Sequence, residues 1–79
     1  MNTIQEQWEL FSTMVIPKDA PDIQKQEMRR AFYAGVEALL RIEAIIISSA
    51  VSKEAGMAML KGVHEECKLF ASEVAKGAA

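Results

Sequence analysis

Three runs of apolar residues at helical spacing, separated by breaks at Pro17–Pro21 and Ser48–Ser52 and with no alternating strand pattern anywhere, predict an all-α chain. The expected arrangement is a three-helix one. The second and third helices form a long antiparallel hairpin, and a short N-terminal helix lies across one end. Residues 1–79 make a single helical domain, and that domain assembles as a homo-oligomer.

The first helix is expected over roughly residues 3–15. Thr3 and Glu6 have the spacing of a capping box, in which each side chain serves an otherwise unpaired backbone N–H. Ile4, Trp8, Phe11 and Val15 follow at steps of four, three and four. Pro17 ends the run, because the residue before a proline is pushed out of the α region. In the connection, Asp19 or Ala20 is placed to cap the next helix, and Pro21 suits its first turn, where a missing N–H costs nothing.

The second helix should run from about Pro21 to Ile47 or Ser48, roughly 40 Å at 1.5 Å per residue. Met28, Phe32, Gly35, Leu39, Ile42 and Ile46 alternate steps of four and three, the pattern of a packed seam. At its end Ile45, Ile46 and Ile47 point in successive directions about 100° apart, leaving no solvent-facing side. That belt is assigned to a subunit interface. Ser52 should cap the third helix, Leu60, Val63, Cys67, Phe70 and Val74 should form its inner stripe, and Gly77 should end it. Gly56, in AGMAML, marks a place of close helix approach or fraying.

Size supports self-association. Below roughly 80 residues one core seldom supplies more than about 3–5 kcal/mol, and Cys67 is the only cysteine, so an intramolecular disulfide is impossible. One cysteine and one histidine cannot close a structural zinc site in one chain. The opening MNTIQEQWELF has no basic region followed by an apolar run, so no signal peptide is expected. Glu37, Arg41 and Glu43 interrupt the most apolar stretch and argue against a membrane span. The expected setting is therefore soluble and cytoplasmic.

The net charge of −2 argues against generic nucleic-acid coating. Cations nevertheless cluster. Lys25, Arg29 and Tyr33 recur at steps of four along the second helix, beside Arg30 and close to Lys18. Two cations, helix N-terminal N–H groups and an aromatic face are what a nucleotide-like anion needs. The bland alternative is a solvated face paired locally to Asp22 and Glu27. His64 and Cys67, at i and i+3, invite a metal or nucleophile reading, but no further ligand or oxyanion site accompanies them; they are read as core and flank. Glycine-rich phosphate loops and nucleophile motifs are lacking, so no enzyme and no cofactor are expected.

Trp8-x-x-Phe11, Ile16-Pro17-x-x-Ala20 and the run Gln26-Glu27-Met28-Arg29-Arg30-Ala31-Phe32-Tyr33-Ala34-Gly35 resemble a family of small phage and prophage proteins. The resemblance covers about the first half of the chain. It implies a phage-encoded accessory protein in the bacterial cytoplasm and brings no catalytic residues. Small helical oligomers of that kind are often counter-defence proteins. The expected function is therefore sequestration of a nucleotide-derived immune signal, of a cyclic ADP-ribose or cyclic dinucleotide type, between subunits. Lys18, Lys25, Arg29, Arg30 and Tyr33 would bind it. The alternatives are a protein–protein inhibitor of a bacterial defence complex, for which the acidic first helix offers a patch, and a phage structural or assembly factor.

Overall fold

Thr3 opens the first helix through the reciprocal bonds that its spacing to Glu6 predicts. The Glu6 backbone N–H donates to Thr3 Oγ1 at 3.1 Å, and the Thr3 backbone N–H donates to Glu6 Oε1 at 3.0 Å. In this computed structural model, which describes residues 2–79, there are three helices: α1 (Ile4–Val15), α2 (Asp22–Ile46) and α3 (Lys53–Ala75). Among the described residues no strand occurs and no helix is long and apolar enough to cross a membrane. The backbone divides into two compact units, Met1–Leu40 and Arg41–Ala79.

In the first unit, Pro17 ends α1 as expected: Ile16 is extended, at φ −96° and ψ 123°. That extension has a consequence the helical spacing does not reveal. Ile16 turns inward and is buried, whereas Val15 is exposed. The inner face of α1 is thus Trp8, Phe11 and Ile16 rather than a stripe ending at Val15. A turn over Pro17–Ala20 follows, closed by the Ala20 N–H donating to the Pro17 carbonyl at 3.1 Å. The Pro21 carbonyl then accepts from the Lys25 N–H, so Pro21 sits one residue ahead of α2 rather than inside its first turn.

Trp8, Phe11 and Phe32 form the core of this unit. Their ring centroids are 5.4–5.9 Å apart in tilted and edge-on pairs, the separations aromatic quadrupoles favour. Trp8 is only 8% exposed.

In the second unit, Ser52 caps α3 by accepting from the Ala55 N–H at 3.1 Å. Gly56 is buried, and a Cβ there would lie 3.1 Å from Ile46 Cγ2 and 3.4 Å from the Ile46 carbonyl oxygen. The close approach expected at AGMAML is therefore present, and α3 is regular through it. At the far end Gly77 has φ +74°. The Gly77 N–H donates to the Val74 carbonyl and the Ala78 N–H to the Glu73 carbonyl, the double closure that a left-handed residue after a helix permits.

Coverage of α3 fades along its length. Met59 and Val63 are half-buried, but Cys67 is exposed, Phe70 is 60% exposed and Val74 50% exposed. The expectation that Cys67 is a core residue is corrected here. Within this unit only residues 41–46 of α2 are available to cover α3, on the order of 9 Å of helix against about 35 Å. Ile46 faces Gly56, and Ile45 and Ile47 are 51% and 83% exposed.

Two outcomes follow from these contacts. Gly56→Leu should destabilise the protein in urea denaturation by about 1–3 kcal/mol of overpacking strain, exceeding the roughly 1 kcal/mol gained by removing a helical glycine; equal or greater stability would contradict the close approach. The bond from the Thr3 backbone N–H, then that from its hydroxyl, holds the Glu6 carboxyl below its ordinary value. A lowered folded pKa stabilises above the unfolded value and loses that contribution as pH falls through the folded one. Acid should therefore unfasten α1 only below the usual glutamate range, and Glu6→Gln should abolish that part of the pH dependence followed by circular dichroism.

Candidate functional site

The aromatic core and the Pro17–Ala20 turn together leave a groove on the first unit. Its volume is about 840 Å³, within the range of small-molecule sites. Trp8, Ile16 and Pro17 supply apolar wall, and Ser12 and Thr13 supply hydroxyls. Lys18, Lys25, Arg29, Arg30 and Tyr33 all line it, together with Gln26. Every residue nominated from the sequence for anion binding therefore meets in one concavity. None of the described lining residues is acidic.

The four cations differ in setting. Lys25 is half-buried, and its Nζ donates to the Lys18 carbonyl oxygen at 3.3 Å, tying α2 to the preceding turn. Arg29 Nη2 donates to Gln5 Oε1 at 2.8 Å, and its guanidinium carbon lies 5.6 Å from the centre of the Tyr33 ring. The Tyr33 hydroxyl donates to the same Gln5 oxygen at 3.1 Å. Gln5 in turn donates to Glu9 Oε1 at 3.2 Å. One amide of α1 thus orients both the cation and the ring of α2. Arg30 alone of these cations is ion-paired among the described residues, to Glu27 at 3.3 Å across an exposed i, i+3 contact of small energetic weight.

Among the described residues, the local pairing anticipated for a merely solvated face is thus present at Glu27 and not at Asp22. One expected component is missing from the groove. Its described lining includes none of Asp22, Ile23 and Gln24, whose N–H groups open α2, so the groove lies along the flank of that helix from Lys25 onward. Phosphate recognition here would depend on side chains.

Sequence reasoning missed Gln5 and the part played by Trp8. Trp8 carries only the signal of a core stripe, and Gln5 carries none, because a single glutamine on a helix flank has no pattern. His64 and Cys67 lie on exposed surface, and no group of three or more metal-ligating side chains occurs among the described residues. No protein-family model, curated protein or solved structure matches the chain.

Removing the shared acceptor tests how the groove is built. Gln5→Ala should lower stability by about 1 kcal/mol, since two exposed hydrogen bonds between α1 and α2 are lost. It should also broaden the Tyr33 ring resonances. An unchanged urea midpoint would mean that these bonds do not hold the groove together.

Proposed function

We propose that this protein binds a nucleotide-derived anionic signal in the Lys18–Tyr33 groove and sequesters it, as a phage accessory protein countering a bacterial defence. The carrying observation is that Lys18, Lys25, Arg29, Arg30 and Tyr33 line one groove with Trp8 and no carboxylate. Three of the cations, Lys18, Lys25 and Arg29, have no acidic partner among the described residues. A ligand with two or more negative charges and a flat base satisfies both the charge and the aromatic wall. Cyclic dinucleotides and ADP-ribose derivatives fit that description.

Self-association is part of the proposal. A site that opens on one copy holds a small molecule more completely when a second copy closes it. The large apolar side chains left exposed, Ile47, Leu69 and Phe70 among them, support a partner of the same kind.

A second reading has its own observation. Leu10 and Met14 are exposed on α1 beside Glu6 and Glu9, and the four line a shallow apolar and acidic depression. Such a patch suits contact with a basic protein surface. In that case the protein is a non-enzymatic inhibitor of a defence complex.

Calorimetry and thermal shift against cyclic dinucleotides and ADP-ribose derivatives test the first reading. Arg29→Ala or Lys25→Ala should each remove a charge-assisted contact worth about 1.5–3 kcal/mol, roughly a tenfold to hundredfold loss of affinity. Tyr33→Ala should weaken binding and Tyr33→Phe should leave it nearly intact. Ligand should raise the melting temperature of the wild type and not that of the alanine variants. If no compound binds, and a host protein co-purifies equally with wild type and Arg29→Ala, the inhibitor reading replaces this one.

A further inference from the structure

Two polar stripes at helical spacing meet in the first unit. Gln5, Glu9 and Thr13 recur at steps of four on α1, and Lys25, Arg29 and Tyr33 recur at the same step on α2. Gln5 accepts from both Arg29 and Tyr33, and Thr13 lines the groove together with Lys25. Glu9 lies between Gln5 and Thr13 on the α1 stripe, and its carboxylate accepts from the Gln5 amide nitrogen at 3.2 Å. The oxygen of the same amide accepts from Arg29 at 2.8 Å. A single amide group therefore stands between the Glu9 carboxylate and the Arg29 guanidinium. Direct contact between those two would be charge-assisted, yet among the described residues they form no ion pair. Glu9 is also absent from the described lining of the groove and lines the neighbouring depression with Leu10 and Met14.

We propose that Gln5 is a positioning residue of the anion site, whose amide holds the Glu9 carboxylate apart from Arg29 and so keeps the guanidinium available to an anion. The role rests on the groove binding an anion, as proposed above; the part played by a carboxylate held at its border is new. The chemistry of the three groups fixes how the amide sits. Arg29 offers only donors and an ionised carboxylate only acceptors, so the amide fits between them one way round, oxygen to the cation and nitrogen to the anion. Each charged group then has a neutral partner, and neither cancels the other. Gln5 is itself absent from the described lining of the groove, so it acts through Arg29 and Tyr33 and not on a ligand. Without the amide, Glu9 and Arg29 lose the partners that keep them apart. The carboxylate then competes with any anion for the guanidinium. Gln5, Glu9 and Arg29 are all exposed, so that competition is strongest at low ionic strength.

A double-mutant cycle on the whole protein tests this, because simple loss of orientation and release of a competing carboxylate give different patterns. Calorimetry at low ionic strength uses inorganic pyrophosphate, ADP-ribose and a cyclic dinucleotide as probes, and the cycle is read with whichever binds wild type most tightly. Gln5→Ala should weaken binding by at least about threefold, the size expected of an exposed ion pair formed in competition. In the Glu9→Gln background the same removal of Gln5 should cost less than about twofold, since no carboxylate is left to compete. Raising the salt concentration should shrink the difference between the two backgrounds. Equal losses in both backgrounds mean that Gln5 only orients Arg29 and Tyr33; they overturn the inference and leave the groove reading standing. No loss in either background overturns it as well. Should Gln5→Ala lose its helical circular dichroism, Gln5→Met, which keeps the side-chain length without the amide, replaces it in both backgrounds. If none of the three probes binds wild type, the groove reading and this inference fall together.

Discussion

Trp8, Phe11 and Phe32 hold the first unit together, and the groove exists because of where they put α1. Each pair of rings contributes about 0.5–1.5 kcal/mol beyond its buried area. That is a large share of what so small a unit has available. With the rings in contact, the Pro17–Ala20 turn has to fold back beside α2, and Ile16 fills the space beneath it. Lys18 is thereby carried to the flank of α2, where its carbonyl meets Lys25 Nζ. The cationic wall and the apolar wall of the groove are two sides of one packing event.

Electrostatics give that groove its character. Arginine and lysine side chains gathered without carboxylates repel one another, and the arrangement costs free energy unless an acceptor or an anion offsets it. Gln5 is the acceptor that the fold supplies, taking one hydrogen bond from Arg29 and one from Tyr33 on a single oxygen. A neutral amide orients the guanidinium without neutralising it. A carboxylate at the same place would have built a stronger, charge-compensated pair. With an amide as its partner, the Arg29 guanidinium keeps an uncompensated charge.

The second unit makes a different use of small residues. Gly56 lets α3 come within van der Waals reach of Ile46, which brings the two backbones closer than any larger side chain would allow. Close approach at one point does not extend to the rest of α3: Leu60, one turn on, is 38% exposed, and from Cys67 onward the stripe is exposed throughout. Burial is concentrated, in the first unit, at its rings and, in the second, at the Ile46–Gly56 contact.

Much of the local structure was legible in the sequence because its causes are local. The Thr3–Glu6 box, the stop at Pro17, the Ser52 cap and the left-handed Gly77 each depend on residues within a few positions of one another. The alignment of Lys25, Arg29 and Tyr33 was legible for the same reason, since a helix fixes what shares its face. Nothing local could tell that Ile16, and not Val15, turns inward, that Gln5 reaches residues 24 and 28 positions away, or that Trp8 walls a groove. The stripe through Cys67 and Phe70 was equally visible, but whether it is covered is a question of how much helix lies opposite it. Spacing along the chain determines which side chains are neighbours on one element. Only the tertiary structure decides which faces are matched in length and position by another element, and therefore which are buried.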